Sequence, residues 1–450
     1  MASAQHRKVP SRASLPRRTT RGPLDQEEDP LSATTSPLAG SQDANPFEQK
    51  IGAKVNLLDE SPENEAEPTQ GPKNLSFILD AAIYHSLTQV EIPVPFRKPL
   101  PRPPPPGTSL SQVLEHIDKL CSICDFVGAA HLASICLTSG LVQPTDYVSI
   151  FKLLAIRFSC LELIGQILLA AQEAKALEDL SSEFYYVVSE VSEAEAEAHG
   201  GQRPLAKHIM PFSLRVQAAR LQNIGFSDPR RGVTALYDLG LEVREHLASP
   251  YTSEREQEVW TVRLESLGMH VVNALIELGD LDCASRTLAQ SKPKSADPKV
   301  QGRWLSRMVL LLVRLGHVKK AHDYVDQLQV DNSEKEILAS LVAVADGDID
   351  EGARLLEKAL QNDNDGSEMA NVAKQNLAVV YVYVGRITEA RKMLEDLVEE
   401  GHSFSSLTIN LTTIFDLMSD KARDLKIEMV AKLATAQPQS RAFSNADFKL

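Results

Sequence analysis

The sequence predicts an all-α protein, a right-handed α-solenoid built of helical hairpins, and three observations carry that reading. A short phrase recurs four times in the C-terminal part of the chain: Gly, a polar or basic residue, Leu/Ile/Val, and a small residue five positions after the Gly. The copies are Gly279-Asp280-Leu281 with Ala284, Gly316-His317-Val318 with Ala321, Gly347-Asp348-Ile349 with Gly352, and Gly385-Arg386-Ile387 with Ala390. Their glycines stand 37, 31 and 38 residues apart, which scatters around the roughly 34-residue period of stacked antiparallel helix pairs. The flanks keep the same frame, with Val272, Val309, Ser340 and Ala378 before the glycines and Ser291, Leu328, Ala359 and Leu397 after them. Upstream, from Ser109, the chain continues as helical segments of similar length.

Each part of the phrase has a physical reason. Gly ends the first helix because a left-handed backbone costs it nothing. The small residue one turn into the second helix lets the two helices approach closely. One such pair cannot bury its apolar stripe alone, so the copies stack into a solenoid whose surface suits protein partners. The run Leu377 to Val384 is rich in β-branched residues and alone reads as a strand, but the repeat frame assigns it to the first helix of the fourth hairpin.

Taken in order, residues 1–72 have the composition of a disordered tail. The first 22 residues carry six basic side chains and no acid, whereas 23–72 carry eleven acids against Lys50 and Lys54. Within 73–108, the piece Asn74 to Ile92 (Leu75, Ile78, Leu79, Ala82, Ile83, Leu87) is expected to form a short helix that docks on the downstream helices. Pro93 to Pro106 then reads as an extended polyproline segment. The region 109–203 holds N-terminal hairpins. Ser109 or Ser111 caps a helix with Val113, Leu114, Ile117, Leu120 and Cys121, Asp125 to Leu137 pairs with it, and Pro144 to Phe158, Leu161 to Leu177 and Ser182 to His199 come next as helices. Gly200-Gly201 and Pro204 mark a seam, and 204–450 is the repeat solenoid, closed by a capping hairpin over Ser405 to Met418 and Ala422 to Thr435.

Composition excludes several functions. A net charge of −14 argues against nucleic acid or an anionic membrane as the primary partner. The apolar runs are far too short for a membrane span, so no membrane insertion is expected, and no leader is recognisable at the start. Five scattered cysteines form no disulfide framework, which places the chain in the cytosol or on a cytosol-facing membrane surface. Cys121-x-x-Cys124 with His116 and His131 has the local look of half a zinc site. Leu114, Ile117, Cys121 and Cys124 nevertheless keep to helical spacing, so both thiols read as core packing. No phosphate-binding loop, nucleophile elbow or His-Glu-x-x-His is present. His208 and His317 read as turn or packing residues, and neither an enzyme activity nor a cofactor is expected.

Two linear motifs stand out. Asn45-Pro46-Phe47 has the form read by EH domains, and Lys98-x-x-Pro101-x-x-Pro104 the form read by polyproline-binding grooves, with a stiff spacer as the plainer alternative for the second. The capping hairpin carries more apolar surface than the fourth hairpin can cover. Either the segment Phe443 to Leu450 folds back over it with Phe443, Phe448 and Leu450, or a partner docks there on anchors such as Phe415.

Several stretches taken together resemble one family. They are Met210-Pro211-Phe212-Ser213-Leu214-Arg215-Val216, Leu377 to Arg386, Asn410-Leu411-Thr412-Thr413-Ile414-Phe415-Asp416-Leu417, and the closing Phe443-Ser444 and Lys449-Leu450. Order and wording resemble the subunit 12 family of the TRAPP vesicle-tethering complex, a tetratricopeptide-repeat family, over about 204–450 and less closely over 109–200. The resemblance implies a non-catalytic accessory subunit of a TRAPP III-type assembly that activates a Rab GTPase in ER-to-Golgi transport and autophagy, peripheral on early secretory membranes. It also implies large subunits 8 and 11 and subunit 13 as neighbours. The rival from another class is a tetratricopeptide co-chaperone gripping peptide carboxylates, for which Arg303, Arg307, Lys374, Gln375 and Asn376 are the available side chains.

Overall fold

A computed structural model describes residues 73–188, 203–293, 297–329, 332–362, 367–436 and 444–449. Sixteen α-helices lie within those residues, in eight consecutive antiparallel pairs. The first half holds α1 (Leu110–Ser122) with α2 (Phe126–Thr138), α3 (Tyr147–Leu163) with α4 (Ile167–Ala174), α5 (Phe212–Gly225) with α6 (Pro229–Ala248), and α7 (Glu254–Leu278) with α8 (Leu281–Gln290). The second half holds α9 (Pro298–Leu315) with α10 (Val318–Asp326), α11 (Asn332–Asp346) with α12 (Ile349–Asn362), α13 (Glu368–Val384) with α14 (Ile387–Glu399), and α15 (Ser405–Met418) with α16 (Ala422–Ala436). The fold is all-α, a solenoid of stacked hairpins.

One turn design closes seven of the eight hairpins. Its first residue has positive φ: Cys124, Gly165, Ser227, Gly279, Gly316, Gly347 and Gly385. The next amide donates five residues back, as in Asp125 to Leu120 (2.9 Å), Gln166 to Leu161 (2.8 Å), Asp280 to Leu275 (3.0 Å) and Arg386 to Tyr381 (2.8 Å). This is the Schellman bond, which satisfies a carbonyl that the helix end would otherwise orphan. That same residue then caps the second helix. Asp125, Asp228, Asp280 and Asp348 accept amides of the new first turn on their carboxylates. Five positions after each turn residue stands Ala129, Ala170, Gly232, Ala284, Ala321, Gly352 or Ala390, all buried. Four copies are legible by their glycine. The other three are hidden because Gly165 lacks a repeat-spaced neighbour and because Cys124 and Ser227 replace glycine in the left-handed position.

Three contiguous cores run along the stack. The first extends from Leu75 to Leu221, the second from Phe212 to Val342, and the third from Ile337 to Phe448. Helix α5 serves two of them, with Leu214, Ala218 and Leu221 in the first and Phe212 and Val216 in the second. The core therefore runs on across the Gly200–Pro204 seam. Leu377–Val384 is helical, with Leu377, Ala378, Val380 and Tyr381 buried.

Five local expectations are corrected, the first being that Pro93–Pro106 is not extended throughout, since Val94–Phe96 make a 3-10 turn. Ser182 does not start a helix: Glu183–Tyr185 form one 3-10 turn, and Tyr186–Val187 pair antiparallel with Lys207–His208, Tyr186 facing His208. The aromatic and β-branched run favours that ladder, while 189–202 lie outside the described residues. Asn74–Ile92 forms a single 3-10 turn, Ser76–Leu79, and otherwise irregular backbone, although Leu75 and Ile78 are fully buried. Helix α3 runs on to Leu163, and the turn expected before Leu161 is made instead at Gly165. Cys124 stands beyond the end of α1, as the left-handed residue of the first turn rather than on its apolar stripe.

Candidate interaction surfaces

The N-terminal segment is held by a buried ion pair. Arg157 of α3 and Glu173 of α4 meet at 2.6 Å with both side chains fully buried. The guanidinium also donates to the carbonyls of Ala130 (2.8 Å) and His85 (3.0 Å), and the Glu173 carboxylate accepts the His85 amide (3.0 Å). The Arg157 cation lies 5.4 Å from the ring of Tyr84, whose hydroxyl donates to the Ile78 carbonyl at 2.7 Å. Residues 78–85, which form no regular helix, are thus anchored by charge-assisted bonds.

A second polar knot spans the seam. Arg215 of α5 forks onto Glu242 of α6 with two 2.6 Å bonds, and the Tyr186 hydroxyl donates to the same carboxylate at 3.1 Å. Burial pushes the Glu242 carboxyl up, but the Arg215 guanidinium outweighs that and holds it below its ordinary value. His208 stacks on Tyr185 at 5.4 Å, and its Nδ1 accepts the Met210 amide at 3.0 Å. Burial first and the Arg215 cation second lower its pKa to about 3, so the imidazole is neutral and Nε2 donates to the Leu180 carbonyl (3.1 Å). It is a packing histidine.

Asn45, Pro46 and Phe47, the whole 1–72 tail, and Phe443 and Leu450 lie outside the described residues. The other proline motif lies on the chain itself. Pro101 and Pro104 are half-buried where the segment borders a groove of about 440 Å³ with Val113, His116 and Leu120 of α1, and Lys98 Nζ donates to the Ile123 carbonyl at 3.4 Å. On the first helices of the later hairpins, Lys374 is ion-paired with Glu400 (3.3 Å) and Gln375 accepts from Ser406 (3.0 Å). Glu336 holds Lys358 and Asn362. The side chains available for a carboxylate clamp are therefore already engaged in part. Among the described residues no group of three or more His, Cys, Asp or Glu is placed to hold a metal ion, and no helix is long and apolar enough to cross a membrane.

The terminal hairpin shows how its apolar excess is covered. Leu407, Leu411, Ile414, Phe415, Met429, Val430 and Leu433 are buried, with Arg391 of α14 over the Phe415 ring at 5.3 Å. The last described segment folds back as a 3-10 turn, Asn445–Phe448, against α15. Phe448 is fully buried. A second cover comes from far upstream: Phe96 stacks on Phe448 with ring centroids 6.1 Å apart, and Val94–Phe96 packs on α16. The Asn445 amide donates to the Glu91 carbonyl (2.6 Å), and its side chain to the Val90 carbonyl (2.9 Å). The apolar surplus of α15 and α16 signals in the sequence that a cover is needed. Nothing in the sequence points to Val90–Phe96 as part of it. Leu417, Met418 and Ile427 stay exposed.

These features define a class, an α-helical solenoid of tetratricopeptide-like hairpins. No protein-family model matches the chain. Among curated proteins, it is similar to trafficking protein particle complex subunit 12 of Mus musculus, 22% identical over 259 residues, covering 52% of this chain and 32% of the relative. The Homo sapiens subunit 12 is likewise 22% identical over 259 residues, with 34% of the relative covered. The chain thus spans about a third of the length of these curated relatives, and the relationship is distant.

Proposed function

We propose that this chain is an assembly subunit of a TRAPP III-type tethering complex, serving Rab GTPase activation in ER-to-Golgi transport and in autophagy. The observation that carries the reading is the 259-residue similarity to subunit 12 in two mammals, on a fold whose repeats present surface rather than chemistry. By the same reading its neighbours are the large subunits 8 and 11 and subunit 13, and its place is peripheral on early secretory membranes. The co-chaperone alternative is disfavoured by the Lys374–Glu400 and Gln375–Ser406 pairings. Tagging the chain at its own locus and identifying the co-purifying proteins by mass spectrometry tests the proposal. Recovery of several TRAPP subunits in near-stoichiometric amounts is expected. Recovery of none of them with soluble, helical protein would overturn it.

A further inference from the structure

The superhelix is closed on itself, and its closure rests on a few residues. Gln89 to Lys98 forms a compact loop. The Gln89 side-chain amide donates to the Lys98 carbonyl (2.5 Å) and accepts the Lys98 amide (3.1 Å), pinning the two ends together. Inside it, Arg97 donates to the carbonyls of Ile92 (2.8 Å) and Val90 (3.3 Å). The loop leaves the first core after Leu87, seats Phe96 on the terminal hairpin, and returns at Lys98 to the first hairpin through the Ile123 carbonyl. The first and last hairpins of the stack are therefore bridged by ten residues.

The segment Ser444–Lys449 locks this bridge. One dry aromatic anchor, Phe448, fills the space between α15, α16 and Phe96. Around it the contacts are polar and mostly half-exposed: Asn445 to Glu91 and Val90, Ser405 Oγ to Asp447 (2.7 Å), Lys426 Nζ to the Lys449 carbonyl (3.2 Å), and Lys449 Nζ to Thr413 (2.5 Å). Ser444 and Asp447 cap each other's backbone, so the turn carries its own local structure. A single buried anchor with a polar rim is the anatomy of a peptide ligand in a groove, and the ligand here is the chain's own.

We propose that Ser444–Lys449 is a releasable clasp, which holds the Gln89–Lys98 loop on the terminal hairpin and keeps the superhelix closed. A partner peptide with an acid placed directly before an aromatic residue takes its place. The acid fits the Ser405 hydroxyl and the aromatic the Phe448 site. This holds whichever complex the chain serves. Hydrogen exchange and small-angle scattering of the full chain test it. Phe448→Ala is expected to speed exchange across residues 89–98 at least tenfold and to enlarge the radius of gyration, with helical circular dichroism unchanged. Asn445→Ala, which removes only polar contacts, should act in the same direction and less strongly, and it guards against a folding defect in the first variant. A synthetic peptide of residues 444–450, added in trans to the Phe448→Ala chain, should fill the vacated site and restore slow exchange at residues 89–98. The same peptide with alanine in place of the aromatic should not. Unchanged exchange at 89–98 in both variants would overturn the proposal. So would failure of the peptide to restore slow exchange in the Phe448→Ala chain, or a dimer formed by exchange of the segment between two copies.

Discussion

Two kinds of glycine do different work in the hairpins, and substitution separates them. Gly385 has φ +88° and nothing within 4 Å of an added Cβ. Gly385→Ala therefore costs only backbone strain, about 1–2 kcal/mol. Gly352 is helical, and an added Cβ would lie 2.5 Å from the Val344 Cγ2, so Gly352→Ala should cost about 1–3 kcal/mol through overpacking. Ser227, exposed at φ +54°, is the converse case. Ser227→Gly relieves strain and should stabilise by up to about 1 kcal/mol after the entropy of the unfolded glycine is counted. Urea midpoints of the three variants check all three signs. His208 adds a pH prediction. Its folded pKa, about 3, lies below its ordinary 6.5, so the unfolded chain binds more protons between those values. Its contribution to stability is full above about 6.5 and is lost as the pH falls toward 3. The acid slope of unfolding should flatten in His208→Gln, as a pH series of melting curves would show.

At the scale of the element, the helices and their turns are legible wherever glycine marks the left-handed residue. They are blurred where Cys124 and Ser227 stand in for it. Segments stabilised by distant partners are not legible. Tyr186–Val187 becomes a strand because Lys207–His208 pairs with it, and residues 78–85 are anchored by Arg157 and Glu173, a contact with no local signature. The Arg157–Glu173 pair also explains why an irregular segment can be ordered. Arg157→Ala would leave the Glu173 carboxylate buried without its cation and should cost about 3–5 kcal/mol. Exchange at residues 78–88 should rise more than in α9 or α13. Arg157→Met with Glu173→Leu should recover part of the loss, because neither charge then remains buried alone. Equal stability of the single variant and the unaltered protein would show that the pair contributes nothing.

Across the whole molecule, the all-α solenoid rests on a period that the hairpins share. Its closure rests on contacts 355 residues apart, Val90 with Asn445, and no periodicity reports such a pairing. An open array of repeats frays independently at each end. Here the two ends share one interface, so loosening one should loosen the other. Leu433→Ala in α16, a large-to-small change worth about 2–5 kcal/mol, should accelerate exchange at residues 89–98 as well as in α15. The same change at Leu267, buried in the middle of the stack, should leave the loop protected. The closure also imposes a timetable on biosynthesis. Phe96 emerges from the ribosome early, whereas the ring it stacks on, Phe448, emerges after the last hairpin. Throughout that interval Phe96 and the growing third core face solvent or a chaperone, so the join between these two distant segments cannot form until all eight hairpins have been made.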